Sequence, residues 1–249
     1  MTSSSLLEVE QKFLLTEASE LEPKLKQLGF EQVTGGKIKF VDWYFDDLDS
    51  YELTTQDCWF RYREQMTEPK SRQQGTWELK RGRGQNTSST VYEEIEGQEG
   101  IDIVISMLSR QEEMSSKKSS TTEELDGHKI PIIPNVPSNI NLKPFCRLET
   151  TRSSWKLPES IADHKFQGLS IDLDTTDTGY TVGEVETLVA TPAEIDAAKE
   201  RIQALIDLIV DKSNVHTGPP VGKLEHFMMN NRKDHYEACI TAGVIQRKY

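Results

Sequence analysis

Hydrophobic and polar residues alternate along several short stretches of the chain, and a period of two predicts β-strands with one apolar and one charged face. From Leu7 to Phe13, the residues Leu7, Val9 and Phe13 fall on one side while Glu8, Glu10 and Lys12 share the other. The pattern recurs in Trp59-Phe60-Arg61-Tyr62-Arg63, where Trp59 has the parity of both arginines, and in Trp77-Glu78-Leu79-Lys80. Ser170-Ile171-Asp172-Leu173-Asp174 sets two aspartates against Ile171 and Leu173, and Gly183-Glu184-Val185-Glu186 sets two glutamates around Val185. A solvated outer face has no need of such sorting by sign. Strands with Lys and Arg on the same kind of face as strands with Asp and Glu predict a barrel with a polar interior, where the two signs meet.

Other elements follow from spacing and punctuation. Ser19 and Glu22 predict a capping box, with Leu21, Leu25 and Leu28 at helical spacing, Pro23 in or near the first turn and a stop at Gly29. Ile38 to Phe45 reads as a strand, Glu64 to Thr76 as a hairpin loop, and Arg81 to Ser89 as a solvated turn rather than a phosphate nest, since no helix follows it. Tyr92 to Glu96 resumes a strand, and Ile101, Val104, Ile105 and Leu108 mark a helix face. A mobile insertion is expected at about 109–144: Ser109 to His128 lacks apolar periodicity, and Pro131 to Pro144 is proline-rich. Thr191-Pro192-Ala193-Glu194 signals a helix start, followed by the apolar face Ile195, Ala198, Ile202, Leu205, Ile206 and Ile209. A last amphipathic helix, from Lys223 through Leu224, Phe227 and Met228, with Tyr236 and Ile240 further along, is expected to close one mouth of the barrel.

Composition narrows the setting. The 249 residues, 35 % hydrophobic and 28 % charged, suit one continuous globular domain over 1–249. No run approaches the roughly 18 apolar residues of a membrane span, and the first residues lack a basic region before an apolar stretch, so a cytoplasmic protein is expected. Cys58, Cys146 and Cys239 form no CxxC pair, and the five histidines have no HExxH spacing, so neither a disulfide framework nor a zinc site is indicated. Any metal should be oxygen-bound. A net charge of −12, from 29 basic and 41 acidic residues, argues against nucleic acid or an anionic membrane as partner. A small anion must be captured locally, and with no apolar stripe left unassigned a monomer is expected.

The ordered series Glu8, Trp59-Phe60-Arg61-Tyr62-Arg63, Trp77-Glu78-Leu79-Lys80, Tyr92-Glu93-Glu94, Thr151-Arg152-Ser153-Ser154-Trp155-Lys156-Leu157, Asp172 to Glu186 and Lys223 resembles the CYTH, or triphosphate tunnel metalloenzyme, family. Within that family it is most like the thiamine triphosphatases. The resemblance implies an α+β fold: an antiparallel, eight-stranded closed β-barrel, the triphosphate tunnel, with helices packed outside. It further implies divalent-metal-dependent hydrolysis of thiamine triphosphate, with a metal site built from Glu8, Glu10, Asp172, Glu184 and Glu186.

The residues suit that chemistry. A triphosphate needs several cations to bind and more to neutralise the oxygen that leaves on hydrolysis, and Lys12, Arg61, Arg63, Lys80, Arg152 and Lys223 meet both needs. Five carboxylates do not gather uncompensated, and Mg2+, or Mn2+ in its place, resolves that conflict with oxygen ligands. Lys12, Glu184 and Glu186 are the expected catalytic residues; which carboxylate orients the attacking water is left open. Glu94 is expected on the substrate side or as an inward ion-pair partner, and Asp174 as a supporting carboxylate that pairs an arginine. Trp59 has a reason to stack on a thiazolium cation. Other readings are an inorganic triphosphatase, a class IV type adenylate cyclase and a noncatalytic polyphosphate-binding module.

Overall fold

A computed structural model describes residues 6–33, 35–67, 71–72, 75–83, 89–109, 124–125, 127–134, 140–161, 164–210 and 220–247. Eight long strands carry the alternation: β1 Leu7–Leu14, β2 Ile38–Asp46, β3 Cys58–Thr67, β4 Thr76–Gly82, β5 Thr90–Glu96, β6 Lys143–Lys156, β7 Ser170–Thr176 and β8 Thr181–Val189. They run in the order β7-β8-β1-β5-β4-β3-β2-β6, and pairing of β6 with β7 closes the ring. Neighbours around it are antiparallel. Closure removes the long sheet edges and gives each strand an inner and an outer face.

The outer faces are apolar and the helices cover them. Val9, Phe13, Ile171, Leu173 and Val185 pack with Leu21 and Leu25 of α1 (Ala18–Gln27) and with Ala198, Ile202, Leu205, Ile206 and Ile209 of α3 (Ile195–Ile209). On the far side Val41, Trp43, Phe60, Trp77 and Leu79 pack with Ile101, Val104 and Leu108 of α2 (Gly97–Ser109). Each fully buried aliphatic side chain in these layers contributes about 1.5–3 kcal/mol. Gly183 lets Phe13 lie flat on the opposite strand, since a Cβ there would meet the Phe13 ring at 2.0 Å. The third cluster differs: Met228 of α4 (Lys223–Asn231) and Tyr236 and Cys239 of α5 (Lys233–Thr241) meet Tyr44 and Leu148, which have the inward parity of Asp42 and Arg152. These two helices therefore sit over one mouth of the barrel.

Several boundaries differ from the sequence expectation. Helix α1 begins at Ala18 with Glu17, not Ser19, at its N-cap; the Ser19 hydroxyl instead donates to the Glu17 carboxylate at 3.3 Å, and Pro23 lies inside the helix. The polar stretch after Arg63 is not all loop, because β3 continues to Thr67, pairing Glu64 with Val41 and Gln65 with Phe40. A backbone ladder is indifferent to side-chain polarity. For the same reason Arg81 and Gly82 complete β4. Thr191 does not cap a backbone N–H; it donates to Glu194 Oε1 at 2.9 Å while Oε2 accepts from the Ala190 N–H at 3.2 Å. A 3-10 turn, Pro192–Glu194, then leads into α3. The expected insertion at 109–144 lies largely outside the described residues, which include there the short pairing of Glu124–Leu125 with His128–Lys129.

Candidate active site

Register converts the separate charged faces into one lining. Pairing of β1 with β8 sets Glu10 opposite Glu186 and Lys12 opposite Glu184. On the other flank of β1, Glu8 lies opposite Tyr92 and Glu10 opposite Thr90. Around the ring, Asp172 faces Glu184, Arg152 faces Asp174, Asp42 faces Arg63, Arg61 faces Glu78, and Lys80 faces both Trp59 and Glu94. The cavity they surround has a volume of about 510 Å³. Glu8, Glu10, Lys12, Trp59, Arg61, Arg63, Lys80, Glu94, Arg152, Glu184, Glu186 and Lys223 all line it, whereas Asp172 is buried behind Arg152 and does not.

Each cation is held by carboxylates. Lys80 Nζ lies 2.7 Å from Glu8 Oε2 and 2.8 Å from Glu10 Oε2. Lys12 pairs with Glu10 and stands 3.5 Å from Glu184. Arg63 forks onto Asp42 at 2.7 and 2.8 Å, and Arg152 forks onto Asp174 at 2.8 and 2.7 Å while also pairing with Asp172. Arg61 Nε donates to Glu78 at 2.6 Å, and Lys223 pairs with Asp174. Glu94 stands 3.6 Å from Lys80 and 3.9 Å from Arg61, the inward ion-pair position.

Charge states follow from these partners. Burial alone would push the Glu10 carboxyl up, but Lys12 and Lys80 together hold it at about 2. Glu184 is likewise buried, yet Lys223, Lys12 and Arg152 keep it well below the carboxylate range. Glu186 behaves oppositely: burial and the neighbouring charges of Glu8 and Asp172 push it up to about 9. Lys12, Lys80 and Arg152 stay cationic against the cost of burial because of the carboxylates around them. Among the described residues, Glu8, Glu10 and Glu186 gather as a group fit for a metal ion, with oxygen atoms all within 4.8 Å of one another. Asp172 and Glu184 are outside that group and are engaged by Arg152 and Lys12.

Sequence reasoning passed over several lining or supporting residues. Asp42 and Glu78 anchor Arg63 and Arg61, Tyr92 lies under the Lys80 ammonium at 4.7 Å, and Phe40 carries the Arg63 guanidinium on its ring at 4.1 Å and that of Arg152 at 5.3 Å. Parity held the signal for all of them, since Phe40 and Asp42 share one face of their strand, Glu78 shares that of Lys80, and Tyr92 that of Glu94.

Comparison with known proteins gives concordant results. The CYTH domain matches residues 6–214. The thiamine-triphosphatase of Homo sapiens is 31 % identical over 209 residues, 83 % of this chain and 79 % of that protein. That of Macaca fascicularis is 30 % identical over 248 residues, 99 % of this chain and 94 % of that protein. A protein of solved structure from Pyrococcus horikoshii OT3 shares the fold, with a TM-score of 0.50 at 20 % identity, covering 82 % of this chain and 92 % of that one. No helix among the described residues is long and apolar enough to cross a membrane.

Proposed function

The chain belongs to the CYTH domain family, and on that premise we propose that it hydrolyses thiamine triphosphate to thiamine diphosphate and phosphate with the aid of a divalent metal. The observation that carries this reading is the meeting, in one cavity, of Lys12, Arg61, Arg63, Lys80, Arg152 and Lys223 with an acidic group of different purpose. The donor set Glu8, Glu10 and Glu186 is all carboxylate, which suits Mg2+, or Mn2+, and Glu186 has no basic side chain within 4 Å among the described residues to balance its charge. A bound ion there supplies positive charge to the carboxylates and to the phosphate oxygens. Asp172 and Glu184 complete the acidic surroundings.

The protein's own groups do the rest. The arginines offer planar forks to phosphate oxygens, already oriented by Asp42, Glu78 and Asp174, so little ordering is left for the moment of binding. Water attacks the terminal phosphorus as its bond to the bridging oxygen breaks, and the departing oxygen takes up negative charge. Lys12, which pairs with Glu10 and neighbours Glu184, stabilises that oxygen. A carboxylate of the acidic group orients the water, whose proton is released to solvent. Trp59, half-buried in the wall, stacks on the thiazolium. We assign the activity to a cytoplasmic monomer.

The test is phosphate release from thiamine triphosphate and inorganic triphosphate side by side, with Mg2+, Mn2+ or chelator. Metal-dependent preference for the thiamine ester is expected, and Trp59→Ala should raise KM for that ester far more than for inorganic triphosphate. Equal effects on both would refute the stacking role, preference for inorganic triphosphate would replace the substrate, and no turnover on either would leave a binding module.

A further inference from the structure

Asp57 lies in the turn before β3 with φ 56° and ψ 38°, a left-handed conformation that Asp tolerates better than most residues. Its backbone is pinned on both sides: its N–H donates to the Thr54 carbonyl at 3.1 Å and its carbonyl accepts from the Gly82 N–H at 2.8 Å. The side chain is equally confined. Trp59 Nε1 donates to Asp57 Oδ1 at 2.8 Å, and the carboxylate occupies the space over Gly82, where a Cβ would come within 1.5 Å of Oδ2. Both Asp57 and Trp59 line the cavity.

Asp57 differs from its acidic neighbours Glu78 and Glu94 in having no cation paired to it among the described residues. Glu78 is bonded to Arg61 and Glu94 neighbours Lys80, but among the described residues Asp57 has no Lys or Arg within 4 Å. Among the described residues no ion pair therefore holds its charge, and it sits at the edge of the very ring assigned to the organic part of the substrate. Accepting the indole N–H, the carboxylate enriches the ring face, and its own field adds to the attraction for a cation lying there.

We propose that Asp57 is a specificity-determining residue, selecting triphosphates that carry a cationic heterocycle over those that carry a neutral one or none. The assignment rests on the thiamine triphosphate reading of the cavity and adds to it a source of discrimination that phosphate-binding groups cannot provide. Inorganic triphosphate presents nothing to Asp57, and a neutral nucleobase can use the Trp59 face but not the charge.

Asp57→Asn keeps an acceptor for the indole N–H and a residue at ease in the left-handed conformation while removing the charge. Steady-state kinetics on thiamine triphosphate, inorganic triphosphate and ATP should show the ratio of kcat/KM for the thiamine ester to that for inorganic triphosphate falling about tenfold, with the thermal transition retained. A ratio that stays at the wild-type value overturns the proposal and leaves Asp57 a turn residue. Gly82→Ala is the second arm, since its new methyl group must push the Asp57 carboxylate from its seat, and the same fall is expected. A wild-type enzyme with no preference for the thiamine ester would sink the parent reading instead. Asp57 is then judged by inhibition constants of thiamine diphosphate against diphosphate, whose ratio must still shift on Asp57→Asn.

Discussion

Replacing the ionisable carboxyl of Glu186 should abolish a proton release that accompanies metal binding. Burial, Glu8 and Asp172 push the Glu186 carboxyl up to about 9, so the metal-free protein holds a proton there at neutral pH. A divalent ion among Glu8, Glu10 and Glu186 requires the ionised form and must displace that proton. At pH 7 the displacement costs about 3 kcal/mol, from about two pH units at about 1.4 kcal/mol each. Affinity for Mg2+ should therefore rise about tenfold per unit between pH 7 and about 9 and level off above it. Calorimetric titration in two buffers of different ionisation enthalpy reads the protons directly, and close to one per bound ion is expected at pH 7–8. The same carboxyl acts on stability with a definite sign. Its folded value is raised, so the proton it retains stabilises the metal-free fold at low pH, and that contribution is lost as pH rises through about 9. Glu186→Gln should flatten both profiles. Metal affinity that is flat from pH 7 to 9, or binding without proton release, would refute the reasoning.

Glu184→Gln should lower kcat at least about a hundredfold with the far-UV circular dichroism spectrum retained, because it removes the anion shared by Lys12 and Arg152; near-native turnover would remove Glu184 from the catalytic assignment. Asp42 is held down at about 2, buried but overruled by Arg63, so it stabilises the fold above about pH 4 and that stabilisation, about 2 kcal/mol, is lost as pH falls through about 2. Thermal unfolding followed from pH 6 to pH 2 should show this acid limb in the wild type and a shallower one in Asp42→Asn. Ile202→Ala, at a fully buried position between α3 and the barrel, should cost about 2–5 kcal/mol in denaturant titration while leaving KM for triphosphate substrates unchanged.

The barrel was legible in the sequence because period-two alternation is a local property. Each charged strand declared its own inner face, and the apolar spacing of α3 declared what covers the outside. The ends of elements were less legible. Ser19 has the chemistry of a cap, but the Glu17 carboxylate takes its hydroxyl, and β3 runs on through Glu64 and Gln65 because a neighbouring strand supplies the hydrogen bonds. Such outcomes depend on partners that a linear reading does not contain.

Within the cavity the division is the same. The amino-acid sequence determined which residue types are available, that they point inward together, and, through the ordered motifs, which family they resemble. The tertiary structure decided how they sort. Register between β1 and β8 sets Glu10 beside Glu186, while Glu184, a strand-pleat away, falls to Lys12 and Arg152. It gave Asp42 and Glu78 their anchoring work and left Asp57 beside Trp59 with no cation paired to it among the described residues. Charges interact through space with a strength set by distance and burial, and both arise only once the strands are closed into a ring.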